Sequence, residues 1–117
     1  MQQKKILFHI DELNKWDLLL KDVSISINFY RDIDFHIYVL ATSEAVKFYN
    51  SKDISYTHLD FMEYLANNNV EFAAGKEDMD YYDIDLKNLV QFVQVVPSGS
   101  LELVNRQKEG YTYLKAW

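Results

Sequence analysis

The chain has 117 residues, of which 49% are hydrophobic and 26% charged, with three Gly, one Pro and no Cys. That is the length of one domain (1–117), large enough to bury roughly two-thirds of its unfolded surface, and the composition excludes a disordered or fibrous chain. The lack of Cys excludes disulfides, thiolate metal sites and cysteine nucleophiles, while a net charge of −6 runs against tracking of nucleic-acid phosphates, which needs clustered Lys and Arg.

The opening MQQKKILFHIDEL carries two lysines but only a short apolar run, Ile6 to Ile10, before Asp11 and Glu12. A signal peptide needs an apolar stretch of roughly 7–15 residues and a membrane-spanning helix about 20. The expectation is a cytoplasmic protein with no membrane partner. From there, short apolar runs alternate with amphipathic stretches, the pattern of β-α units around a mostly parallel sheet.

Lys5 to Ile10 reads as a strand buried on both faces. Asn14 is expected to cap the next helix, with Asp17 as its reciprocal partner, and Trp16, Leu19, Leu20, Val23, Ile27 and Tyr30 share one helical face. Phe35 to Ala41 is the second strand, and Thr42 is positioned to cap a short helix carrying Ala45, Val46 and Tyr49. After a polar loop, Thr57 with Asp60 opens a helix bearing Phe61, Met62, Leu65 and Ala66. It ends at Asn67–Asn69, because Asn tolerates the left-handed conformation. Val70 to Ala74 is a third strand and Phe92 to Val96 a fourth, closed by Pro97. Ser98 caps a helix running to about Glu109, Gly110 ends it, and Tyr111 to Lys115 is a fifth strand. The sum is an α/β protein: a three-layer α/β/α sandwich with about five mostly parallel strands. Between Gly75 and Asn88, five acids stand against Lys76 and Lys87. This segment reads as a short helix or turn with Met79, Tyr81, Tyr82 and Ile84 inward and a solvated acidic surface; its spacing does not fit a calcium loop.

In an open α/β sheet, ligands bind beyond the carboxyl ends of the strands, near helix N-termini. That rule nominates His9, Asp11 and Glu12 after the first strand, Thr42 and Ser43 (with Glu44) after the second, Gly75 after the third, and Ser98 and Gly99 (with Pro97) after the fourth. His9 beside Asp11 has the chemistry of a general acid–base pair; the plainer account makes His9 a strand-end residue bonded to its own fold. Ser98-Gly99-Ser100 offers either an anion cradle or an ordinary helix cap. His36, expected mid-strand, and His58, at a helix start, share no ligand spacing with His9, so no metal is expected. With three Gly in the chain no phosphate- or dinucleotide-binding glycine motif is present, and no cofactor is expected.

Four segments, KKILFHIDELNKWDLLLKDV, VLATSEAVKFY, MEYLANNNVEFAA and VVPSGSLELVNRQKEGYTYLK, together resemble the DsrE/DsrF-like family of small proteins with the YchN-like fold. The resemblance runs from about Lys4 to Lys115. It implies a flavodoxin-like α/β/α domain that assembles into trimers or hexamers. It also implies kinship with sulfur-relay proteins, which pass a persulfide from a cysteine after a central strand, in a segment reading like VKFVAC. Here that segment is Val70-Glu71-Phe72-Ala73-Ala74-Gly75, so Gly75 stands at the matching position and the chain is not itself a persulfide carrier.

Three functions follow as expectations. The chain is an oligomeric accessory or scaffold subunit, as a homo-oligomer or beside a cysteine-bearing DsrE-like partner. Alternatively, it binds a small molecule or anion at the strand ends, or it is an enzyme with His9 as general base. Tyr113 and Trp117 are the candidates for a subunit contact, although Trp117 could instead pack on its own subunit.

Overall fold

The computed structural model describes residues 3–116; Trp117, one of the two contact candidates, lies outside them. Five strands form one fully parallel sheet: β1 (Lys4–Ile10), β2 (Phe35–Ala41), β3 (Val70–Gly75), β4 (Val93–Val96) and β5 (Thr112–Lys115). The order across the sheet is β4-β3-β2-β1-β5. The helices are α1 (Trp16–Tyr30), α2 (Tyr56–Ala66), α3 (Lys76–Tyr81) and α4 (Gly99–Lys108), with a 3-10 helix over Ser43–Tyr49.

This order decides where the helices lie. The steps β1 to β2, β2 to β3 and β3 to β4 all move the same way along the sheet, so right-handed crossovers place their helices on one face. The step from β4 to β5 runs back past β1 and places α4 on the other. Burial agrees: Trp16, Leu19, Val23, Met62, Leu65 and Met79 join Ile6, Phe8, Ile37, Val39 and Phe72 in one large apolar cluster. On the opposite face a smaller cluster, Leu7, Tyr38, Leu40, Ala73, Val96 and Tyr111, meets Leu103 of α4. The central strands are therefore buried on both sides, which is why they read as near-continuous apolar runs.

The turn after α2 behaves as its asparagines suggest, with Asn67 as C-cap and Asn69 at φ +66°. Gly110 closes α4 at φ +96°, and Ser98 caps its start by accepting from the Leu101 N–H. Three expected caps are displaced. Asn14 caps nothing; a short 3-10 turn at Leu13–Lys15 precedes α1, and Asp17 instead accepts from His58 Nε2 at 2.7 Å. Thr42 precedes the Ser43–Tyr49 helix without capping it, because its hydroxyl is held by His9. Thr57 lies inside α2, whose N-cap is Ser55, accepting from the His58 N–H. His36 is the second residue of β2, not a mid-strand one, since β2 starts where Phe35 pairs with Lys4. In the acidic segment Met79 and Ile84 are buried, whereas Tyr81 is 79% exposed, because six residues of α3 have only one inward face.

Candidate functional site

At the carboxyl end of the sheet, β1 and β5 flank the point where the strand order reverses, the usual ligand crevice of such folds. His9, nine-tenths buried, is held at both ring nitrogens: Nδ1 lies 2.9 Å from the Tyr113 hydroxyl and Nε2 2.8 Å from Thr42 Oγ1. A neutral ring can donate to one hydroxyl and accept from the other. Burial lowers its pKa from the ordinary value and Lys115 adds to this, while Asp11 and Asp78 oppose it, so His9 is neutral at pH 7. Asp11 does not contact the ring. Its carboxylate accepts from Lys115 Nζ at 2.7 Å, which ties the loop after β1 to the end of β5.

A cavity of about 190 Å³ opens beside His9. Thr42 and Ser43 line it from the end of β2, and Gly99, Ser100 and Leu103 from α4. Ser43 turns the chain out of β2 in a left-handed conformation, φ +50°, which costs a non-glycine residue on the order of 1 kcal/mol. Glu77 and Asp78 of α3 complete the wall. A larger cavity of about 380 Å³, lined by Leu13, Lys47, Phe48, Asp53 and Ile54, lies elsewhere and contains none of the nominated residues. Position at the strand ends, not size, singles out the smaller one.

Gly75 sits immediately beneath this cavity. A β-carbon added there would stand 2.8 Å from Asp78 Oδ2 and 3.2 Å from the Gly99 backbone nitrogen. Gly99 is as constrained, since its own β-carbon would fall 2.6 Å from Thr42 Cγ2. Gly75, Gly99, Thr42 and Asp78 thus interlock. The Asp78 carboxylate occupies the room that a side chain at position 75 would need, and it does so against the first turn of α4, where the helix dipole favours an anion.

Of the residues nominated from sequence, His9, Thr42, Ser43 and Gly99 line the cavity and Gly75 underlies it. Three are not brought in: Asp11 pairs with Lys115, Glu12 is exposed, and Ser98 caps α4. Sequence reasoning missed Asp78, Glu77 and Tyr113 as members of the site, while Ser100, read as part of a possible anion cradle, does line the cavity. Asp78 had a signal: it is the third residue of a helix that starts directly after β3, and helical side chains lean back toward the N-terminus.

A second polar assembly under α4 was not legible either. Tyr38 donates to Glu102 Oε2 at 2.7 Å, Arg106 Nε reaches the same oxygen at 2.8 Å, and the guanidinium lies 4.4 Å from the centre of the Tyr38 ring. His36 Nδ1 stands 2.6 Å from the Tyr111 hydroxyl, and its Nε2 3.4 Å from Glu71. The His36 hydrogen bond holds the Glu71 carboxyl below its usual range against the pull of burial. Burial and the Glu102 hydrogen bond push the Tyr38 hydroxyl far above the ordinary tyrosine range. Among the described residues no group of three or more His, Cys, Asp or Glu is placed to hold a metal, and no helix is long and apolar enough to cross a membrane.

No family model and no curated protein matches the chain. Solved structures do. The fold is that of the YchN protein from E. coli, with a TM-score of 0.76 at 17% identity over 97% of this chain and 99% of that one. The chain therefore has a YchN-like fold. A protein of unknown function, MTH1491 from Methanobacterium thermoautotrophicum, matches at a TM-score of 0.81 and 30% identity, over 97% of this chain and 99% of that one. The chain belongs to the same family as MTH1491.

Proposed function

We propose that the protein is a DsrE-like accessory or scaffold subunit, related to sulfur-relay proteins but carrying no sulfur itself. The observation that carries this reading is the crowding at Gly75. The chain has no Cys, and a side chain at position 75 would have to displace the Asp78 carboxylate, 2.8 Å from its β-carbon, and press on the Gly99 backbone nitrogen at 3.2 Å. This crowding supports a position adapted to glycine, with Asp78 standing where a side chain would go. A thiolate placed there would also meet a carboxylate, the opposite of the positive surroundings that a reactive cysteine needs.

The subunit acts within an oligomer, a trimer or hexamer of itself or a ring shared with a cysteine-bearing DsrE-like partner. Support comes from α4, where Glu102 and Arg106 share the sheet side with Leu103, while Leu101 and Val104 are 65% and 49% exposed. Exposed apolar side chains one turn apart on a helix are surface that a subunit contact would bury. Native mass spectrometry of the untagged protein from its own host tests this. A trimer, a hexamer or a mixed complex supports the reading, and a bare monomer overturns it.

A second reading is favoured by the cavity: a pocket lined by His9, Thr42, Ser43 and Ser100 at the strand ends is suited to a small polar ligand. His9 serves there as a positioning residue, with both ring nitrogens committed to hydroxyls, which leaves it no free lone pair as a general base.

A further inference from the structure

We propose that the cavity beside His9 binds a small primary ammonium compound, with Asp78 as counter-ion, Glu77 at the rim and the hydroxyls of Thr42, Ser43 and Ser100 as acceptors. The inference rests on the cavity's being a ligand site and adds the sign and shape of what enters it.

The sign follows from how charge is distributed around the cavity. Helix α4 points its N-terminus here, and such an end ordinarily favours an anion. In this chain the Asp78 carboxylate and the Gly99 nitrogen crowd the same point beside Gly75, so the positive end of α4 already faces an acid of the chain. A second anion would meet Asp78 and Glu77 at close range. Lys76, beside Glu77 in sequence, pairs with Asp80 at 2.6 Å, and Lys115, which faces His9, pairs with Asp11 at 2.7 Å. Among the described residues neither Asp78 nor Glu77 takes part in an ion pair.

The shape follows from volume and acceptors. About 190 Å³ is below the roughly 300–1,000 Å³ of sites for drug-sized ligands, so the occupant is small. An ammonium group presents three N–H donors in a compact head, and the wall offers it carboxylate and hydroxyl oxygens. A planar guanidinium would need a bidentate carboxylate in line with it. A divalent ion would need several hard oxygen ligands, and the described residues hold no group of three acids or histidines placed for one. Thr42 is prepared for the acceptor role: when its hydroxyl donates to His9 Nε2, both oxygen lone pairs face away from that bond and are free to accept.

The test is a titration of the full-length, isotope-labelled protein with ethanolammonium chloride, ethylene glycol, sodium acetate and magnesium chloride at matched ionic strength, read by amide shifts in a ¹H–¹⁵N spectrum. Ethanolammonium is expected to give saturable shifts at Ser43, Gly99 and Ser100. Its affinity should fall by about tenfold in Asp78→Asn, the weight of one charge-assisted contact, and by less in Glu77→Gln. The latter residue is exposed, so its variant reports even if Asp78→Asn fails to fold. Equal or tighter binding of acetate, glycol or magnesium through the same amides overturns the ammonium assignment and leaves the ligand-site reading standing. Silence of all four probes overturns both.

Discussion

The two faces of the sheet are built on different physics. On the face covered by α1, α2 and α3, fully buried side chains such as Trp16, Leu65 and Phe72 pack with hardly a polar atom among them. On the face covered by α4, the smaller apolar cluster is flanked by Tyr38, Glu102, Arg106, His36, Glu71 and Tyr111, joined by hydrogen bonds. The first face is held by non-directional burial that tolerates some repacking. The second depends on satisfied partners, so it is specific but vulnerable to the loss of any one of them. The cavity opens on the second face, where geometry is held by directional bonds.

The largest effect is expected on the apolar face. Phe72→Ala should cost about 3–5 kcal/mol in urea denaturation, from lost burial plus a residual cavity; a cost below about 1 kcal/mol would mean that this face is not the main source of stability. Arg106→Met should cost about 1–3 kcal/mol, because Glu102 loses its charged partner and the Tyr38 ring the cation stacked on it, discounted for the partial exposure of the pair. Adding Glu102→Leu should recover part of that loss, and strict additivity of the two would show that the pair is not coupled. Ser98→Ala should cost about 1 kcal/mol through loss of the α4 cap and should raise amide exchange in α4 before it does so in α1.

The smallest effect is a pH dependence. His9 has a folded pKa below its unfolded value, so as pH falls below about 6.5 the unfolded chain takes up the proton first and stability is lost. The contribution is flat above that pH. His9→Gln should therefore flatten the decline between neutral pH and the carboxylate range, measured as unfolding midpoint against pH. An unchanged slope would mean that His9 does not titrate differently in the folded chain.

The same contrast explains what could be read in advance. The strand Phe35–Ala41, the Asn67–Asn69 turn and the Ser98 cap are local patterns, and they were legible because only neighbours in sequence decide them. The caps at Asn14, Thr42 and Thr57 failed where a distant partner or a better neighbour intervened: His9 holds Thr42, His58 holds Asp17, and Ser55 caps α2 before Thr57 can. The strand-end rule found His9, Thr42, Ser43, Gly75 and Gly99. It missed Asp78, hidden in an acidic run that reads as solvent-facing, and the network under α4, whose members lie up to 75 residues apart. Its strand residues His36 and Glu71 sit beside apolar ones on β2 and β3, so each looks like an ordinary surface polar until α4 is laid over it.

The crowding of position 75 by Asp78 is the central claim, and Gly75→Cys tests it most directly, because the parent chain has no other thiol. The unfolding midpoints of Gly75→Cys and of Gly75→Cys with Asp78→Ala should be compared, alongside the rate of thiol modification. The single variant is expected to lose about 1–3 kcal/mol through overpacking, and the double variant to regain part of it and to expose a faster-reacting thiol. A single variant as stable as the parent, with a thiol that reacts readily and accepts a persulfide, would contradict the account.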